Sequence, residues 1–296
     1  MLIDKDFAVF IICHEKPDDC KTFIALQRYG YTKDNWFIVL DDEDRCIQQY
    51  KDKFGENKVL LFSKEEMSKE FDEMDNDTDR RCIVYARNAC FKLARQLGFK
   101  YFIELDDDYI EFQYRYPENN QLKLVYPVNL DMAFEYTLEY FAKTPAITTI
   151  AFAQGGDFIG GLQGASYRKK FLRKAMNSFI CDVDRPFTFN GRINEDVNTY
   201  CLEGSRGKLF CTTVDLMVNQ VDTQTHRGSG GMQDLYQGTG TYRKSFYTVM
   251  CCPSFVKIKI MGDNHYRIHH SVSWENAVPK IISDKYKKEK EKNGNS

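Results

Sequence analysis

The apolar residues of this chain fall into short unbroken runs separated by polar segments. Residues 7–13 are apolar at every position, the pattern of a strand buried on both faces, and predict the first strand. His14-Glu15-Lys16-Pro17 breaks that run, and residues 22–29 read as a short helix ending at Gly30. Residues 36–40 and 58–62 give the second and third strands, 63–71 a charged surface helix, and 72–79 a polar, mobile loop. Ile83, Ala86, Cys90, Leu93 and Leu97 then recur at spacings of three and four, which predicts an amphipathic helix that starts after an Asp-rich stretch and stops at Gly98. Residues 101–105 form a further apolar strand. Alternating strand and helix imply right-handed crossovers and a doubly wound α/β half. Beyond Asp108 the texture changes. Residues 109–126 predict a hairpin or irregular excursion around Asn119-Asn120, 131–141 a helix with Met132, Tyr136 and Tyr140 on one side, and 147–152 a strand. Four glycines in Gly155-Gly156-Asp157-Phe158-Ile159-Gly160-Gly161 allow a tight hairpin or a close approach to an acceptor.

Two of the predicted strands run into acids, one at Asp41-Asp42-Glu43-Asp44 and one at Asp106-Asp107-Asp108. Ligands of such sheets gather at the carboxyl ends of the strands. On an extended chain Asp106 and Asp108 point the same way, so both reach one cation, and a bound divalent ion is a physical reason to hold both ionised. A solvated acidic turn, or helix-capping acids at Asp41-Asp42, is the plainer alternative. Asn194-Glu195-Asp196 is a second acidic group. A carboxylate there can take the proton of an attacking hydroxyl, although a capping role for Asn194 or Asp196 fits the same residues. Three of the five histidines, His265, His269 and His270, crowd together near the C-terminus, and His226-Arg227-Gly228-Ser229-Gly230-Gly231 reads as a flexible cationic loop.

Composition narrows this picture. With 296 residues, 43% apolar and 28% charged, the chain is ordinary for a soluble α/β protein. Its net charge of −2 implies no general attraction to nucleic acid, so DNA would need a local patch. Arg168-Lys169-Lys170 with Arg173-Lys174, bracketed by Tyr167 and Phe171, is the densest internal basic cluster. The ten cysteines include no Cys-x-x-Cys pair and read as reduced core thiols. No apolar run is long enough to span a membrane and no signal-peptide pattern opens the chain, which predicts a cytosolic protein. The lack of a Gly-x-Gly-x-x-Gly or Walker loop argues against a dinucleotide oxidoreductase or a P-loop kinase.

Tyr85-Ala86-Arg87-Asn88-Ala89 followed by Asp106-Asp107-Asp108 resembles the Ala-Arg-Asn helix and Asp-x-Asp motif of glycosyltransferases with the GT-A fold, most of all the phage TET/JBP-associated DNA-base glycosyltransferases. The resemblance implies one GT-A-like α/β domain over residues 1–284 with a mixed, mostly parallel central sheet. Its nucleotide-binding half would cover about 1–110 and its acceptor half about 111–284, with a charged tail at 285–296. It implies a hexosyl- or pentosyltransferase that moves sugar from a nucleoside-diphosphate donor, UDP-linked, to a hydroxymethylated pyrimidine in phage DNA within the host cytoplasm. The base would be flipped out or met single-stranded. Asp41, Asp42, Arg87, Asn88, Asp106 and Asp107 would meet the donor. Asp106 and Asp108, with His269 or His265, would hold Mn2+ or Mg2+. Glu195 and Asp196 would serve the acceptor, with Asp196 the base if the reaction inverts. Transfer to a glycan or other small acceptor, nucleotidyl transfer, or a catalytically silent binding domain are the alternatives.

Overall fold

The computed structural model describes residues 1–76, 78, 80–125, 128–168, 172–221, 232–261 and 267–279, with backbone alone for 232–241, 261 and 267. Its strands are β1 (Phe7–Ile12), β2 (Trp36–Asp41), β3 (Val59–Phe62), β4 (Tyr101–Asp106), β5 (Tyr109–Glu118), β6 (Gln121–Val125), β7 (Ile147–Gln154), β8 (Phe179–Asp182), β9 (Leu209–Gln220), β10 (Val256–Met261) and β11 (Arg267–Val272). The helices are α1 (Leu2–Lys5), α2 (Lys21–Arg28), α3 (Ile47–Phe54), α4 (Lys64–Ser68), α5 (Val84–Leu97), α6 (Leu130–Lys143), α7 (Ala165–Arg168), α8 (Glu195–Ser205), α9 (Met232–Cys251) and α10 (Trp274–Ala277).

The first nine strands make one sheet in the order β3-β2-β1-β4-β8-β7-β9-β5-β6. The pairings make it mixed but mostly parallel, with only β5 and β8 running against the rest. Strands β2 and β3 lie on one side of β1 and β4 on the other, so the winding reverses at β1. The crevice beyond the carboxyl ends of β1 and β4 is where such a sheet receives ligands.

Apolar layers cover both faces of the sheet, which is why β1 is apolar at every position. Phe7, Val9 and Ile11 pack in one layer with Phe134, Leu138 and Phe141 of α6. Ala8, Phe10 and Ile12 pack in the other with Val84, Ala89, Cys90 and Phe91 of α5. Helix α5 ends as expected, with Gly98 in the left-handed region at φ 79. The predicted hairpin is β5–β6, turned by Asn119 and Asn120 at φ 50 and 64. Met132, Tyr136 and Tyr140 form the exposed side of α6, and all ten cysteines are free thiols.

Three local expectations change. β4 ends at Asp106, and Asp107-Asp108 form a turn into β5, so strand alternation does not extend to Asp108. The acids before α5 do not cap it, since its N-cap position is Ile83 with no side-chain bond. Within the predicted loop 72–79, Asp75 meets a buried cation. Arg192, fully buried, donates twice to Asp75 at 2.9 and 2.8 Å, because a cation out of water needs a counter-ion. The glycine-rich segment is not a hairpin turn, because residues 155–178 all lie between the antiparallel neighbours β7 and β8.

Candidate active site

Arg87 organises the crevice. It projects from α5 with 1% of its surface exposed, and three carboxylates, two from β4 and one from α8, surround it. Nη2 lies 2.9 Å from Asp106 Oδ1, Nε 3.2 Å from Glu195 Oε1, and Nη1 3.4 Å from Glu104 Oε2 and 3.2 Å from the Asn177 carbonyl. The rings of Phe179 and Phe189 flank the guanidinium, with their centroids 5.3 and 5.8 Å from its carbon. Burial opposes the Arg87 charge, but Asp106, Glu195 and Glu104 outweigh it and keep the group protonated beyond the usual range.

One cation cannot balance three anions, two of them buried. Burial pushes Glu104 up to about 8 in spite of Arg87, and its Oε1 has no partner, so burial favours the neutral form of Glu104. Burial, and then the neighbouring Asp196, also raise Glu195. Asp106, Asp107 and Asp108 are each pushed up to about 6, first by burial. Asp106 is further raised by Asp108 and Asp196, and Asp108 by Asp107. The fold therefore brings Asp196 into the field of Asp106 from ninety residues away along the chain.

Backbone contacts hold the acidic turn in place. Thr22, near the start of α2, donates its hydroxyl to the Asp106 carbonyl and accepts the Tyr109 amide at 2.9 Å, while its own amide reaches the Asp107 carbonyl at 3.1 Å. Asn88 exchanges two hydrogen bonds with the Phe189 backbone, each 2.9 Å, and so fixes the segment that leads to Glu195. Its amide is engaged there and does not face the acids. Asn194 does not cap α8, since its amide nitrogen donates to Lys244 O and Thr248 Oγ1, whereas Asp196 Oδ1 accepts the Val197 amide at 2.7 Å.

The first acidic cluster is a separate centre. Asp41 Oδ2 lies 3.3 Å from His14 Nδ1, and Asp41 Oδ1 lies 3.0 Å from Lys64 Nζ. Asp42 accepts the Lys64 amide at 3.1 Å, and Asp44 accepts the amides of Glu15 and Cys46. Burial works against the charge of Asp41, but His14 and Lys64 outweigh it and hold the carboxyl below its ordinary range. Among the described residues, His14, Asp41 and Asp44 are the one group whose ligand atoms all lie within 4.8 Å of one another. Asp106, Asp108 and His269 do not form such a group. His269 sits on β11 opposite Lys259, its ring centroid 4.4 Å from that of His270. His270 Nδ1 is buried without a partner, and burial pulls that side chain down to about 4.

Arg173 does not offer a free charge to DNA, because it pairs with Asp157 at 2.8 Å. Lys169, Lys170, His265, residues 226–231 and the tail at 285–296 lie outside the described residues.

The family model of the TET-associated glycosyltransferases matches residues 7–229, three quarters of the chain and all of the acids above. The chain belongs to that family. It is a glycosyltransferase. No functionally curated protein matches it. Among solved structures it is similar to a mannosyltransferase from Pyrobaculum calidifontis in complex with GDP-Man and Mn2+, at 13% identity and TM-score 0.47, over 75% of this chain and 59% of that one. It is also similar to glucosyl-3-phosphoglycerate synthase from Mycobacterium tuberculosis in complex with Mg2+ and UDP, at 10% identity and TM-score 0.45, over 90% of this chain and 88% of that one. The chain thus spans less than two thirds of the mannosyltransferase.

For this glycosyltransferase the sequence left three site residues unmarked. Glu104 was visible as an acid inside an apolar strand, a placement that demands a buried partner. His14 carried only the signal of following the first strand. Nothing in the sequence distinguished Thr22, whose role depends on where α2 packs.

Proposed function

We propose that this glycosyltransferase takes a sugar from a nucleoside-diphosphate donor, UDP-linked, and transfers it to the hydroxyl of a hydroxymethylated pyrimidine in DNA, with Mn2+ or Mg2+ at the acidic turn. The observation that carries this reading is the convergence of Asp106-Asp107-Asp108 with Glu195-Asp196 around Arg87 at the switch point of the sheet.

The residues at the turn suit a divalent cation. Asp108 Oδ1 is buried without a hydrogen-bond partner, and burial, then the neighbouring acids, holds three adjacent carboxyls near 6, where a bound cation would favour their ionised form. Asp106 and Asp108 are the proposed ligands from the protein. Once bound, the ion supplies positive charge against the donor's diphosphate. The protein groups do the rest. Arg87 orients the carboxylates of Asp106 and Glu195, so the metal-side acid and the acceptor-side acid keep a fixed relation. Asp196 accepts the proton of the acceptor hydroxyl as that oxygen bonds to the anomeric carbon and the bond from that carbon to the diphosphate breaks, releasing the nucleoside diphosphate. Asp41 and Asp42 receive the nucleoside at the end of β2. Asn88 positions the 189–195 segment.

The family name supports the DNA acceptor, and among the described residues no helix is long and apolar enough to cross a membrane. The test is incubation of hydroxymethylcytosine DNA and hydroxymethyluracil DNA with a panel of UDP-sugars, with Mn2+, Mg2+ or chelator, read by mass spectrometry of the nucleosides. Metal-dependent addition of one hexose or pentose mass is expected. Transfer that is indifferent to chelator removes the metal, and sugar on other hydroxyls alone removes the DNA acceptor.

A further inference from the structure

Asn177 and Gln220 form an amide pair that runs alongside the acidic turn. Asn177 Nδ2 donates to Gln220 Oε1 at 2.9 Å, across 43 residues of chain. Asn177 comes two residues before Phe179, the partner of Glu104, so the antiparallel pairing of β4 and β8 brings it level with Asp106. Its carbonyl accepts Arg87 Nη1 at 3.2 Å, and the same guanidinium reaches Asp106 at 2.9 Å. Gln220 ends β9 opposite Tyr109, and the next amide, that of Val221, donates to the Asp108 carbonyl at 3.1 Å. One end of the pair is thus tied to Asp106 and the other to Asp108.

The sheet order accounts for this arrangement. Strands β8, β7 and β9 separate the two strands that the acidic turn joins, so the turn passes over their ends. Asn177 leads into β8 and Gln220 closes β9, so their hydrogen bond bridges the end of β7 and crosses the same edge beside the turn.

The chemistry of the pair suits a neutral, hydroxyl-bearing ligand. Both residues are half-buried, at the rim of the crevice and outside the core. Asn177 holds φ 65, a left-handed conformation that concentrates at functional sites when a side chain is kept there. The mutual bond uses one amide nitrogen and one amide oxygen, which leaves Asn177 Oδ1 as an acceptor and Gln220 Nε2 as a donor. A sugar hydroxyl both donates and accepts. Ionised carboxylates can only accept, so an amide pair adds the donor that the surrounding acids lack.

We propose that Asn177 and Gln220 bind ring hydroxyls of the sugar being transferred and so help to select the donor. The proposal rests on the reading that the donor's diphosphate sits at the acidic turn. A sugar joined to that diphosphate stands beside the turn, and the pair is fastened to Asp106 and Asp108 at both of its ends.

The experiment titrates the full chain, with Mn2+, by calorimetry against UDP, GDP, ADP and CDP and against hexose and pentose conjugates of each that differ in single hydroxyls. Wild type discriminates between conjugates of one nucleotide. Asn177→Gly removes the amide, suits φ 65 and keeps the carbonyl for Arg87, and Gln220→Ala removes the other half of the pair at a half-buried strand end. Each narrows that discrimination roughly three- to tenfold and leaves affinity for the bare nucleotide as in wild type. Variants that discriminate like wild type overturn the subsite. So does an equal loss for nucleotide and conjugate, which is what a tie between β8 and β9 with no ligand would give. Asp108→Asn in the same titration isolates the underlying reading. If it binds the conjugates like wild type, the donor is not at the acidic turn, and the variants at 177 and 220 alone decide the subsite. A wild type that binds no conjugate overturns both.

Discussion

Arg87 Nη2 and Asp106 Oδ1 are 2.9 Å apart, and this contact ties the helix before the acidic turn to the turn itself. Because the same guanidinium reaches Glu195, one buried cation fixes two acids that lie far apart in sequence. Removing one partner of a buried pair leaves an uncompensated charge, at a cost of about 3–5 kcal/mol. Arg87→Ala is therefore expected to lower the urea midpoint sharply and to abolish transfer. A midpoint within error of wild type shows that the network does not hold the fold.

Glu104 is expected to behave oppositely. Burial favours its neutral form, and Glu104→Gln keeps the shape of that form. The urea midpoint should move little and transfer should survive. Loss of stability comparable to that of Arg87→Ala would mean that Glu104 is ionised in the folded protein.

Asp108→Asn removes one charge at constant size. Packing stays, and the affinity of the turn for Mn2+ falls, so transfer is lost at low Mn2+ and partly restored at high Mn2+. Wild-type turnover at low Mn2+ excludes Asp108 as a ligand.

Asp196→Asn keeps a hydrogen-bonding group near the acceptor but no base. Turnover should fall roughly 10²–10⁴-fold with little change in donor affinity. Unchanged turnover across the pH range leaves Asp196 only its bond to the Val197 amide.

The acids at 106–108 predict a pH dependence with a definite sign. Burial holds each near 6, against 3.8 in an unfolded chain. Between those values the folded state keeps protons that the unfolded state has lost, so these groups contribute stability below about pH 4 that is lost as pH rises through 6. Metal acts the other way, because it binds the ionised form and its affinity rises through 6. Urea midpoints without metal and Mn2+ titrations from pH 5 to 8 check both halves. Mn2+ affinity that does not change over that range excludes these acids as ligands.

Much of the fold was legible in the chain. The first four strands and α5 follow from runs and spacings that depend only on local geometry, and Asn119-Asn120 announced its hairpin by tolerating positive φ. The acids at the ends of β2 and β4 marked the ligand edge, since strand order alone puts carboxyl ends together. The basic cluster was not legible in this way. Arg173 reads as a surface charge until Asp157 and Phe158 are seen against it.

The sequence by itself determined the family and the ordered set of acids, Asp106-Asp107-Asp108 and then Glu195-Asp196, because motifs and periodicity are properties of neighbours along the chain. Only the tertiary structure decided which charges meet. It turned Arg87 inward onto Asp106 and Glu195, engaged Asn88 with the Phe189 backbone, and separated His14, Asp41 and Asp44 into a centre of their own. The reason is physical. A charge's partner, its burial and its proton are set by what packs against it through space, and those neighbours come from segments far apart in the chain, as Arg192 and Asp75 do.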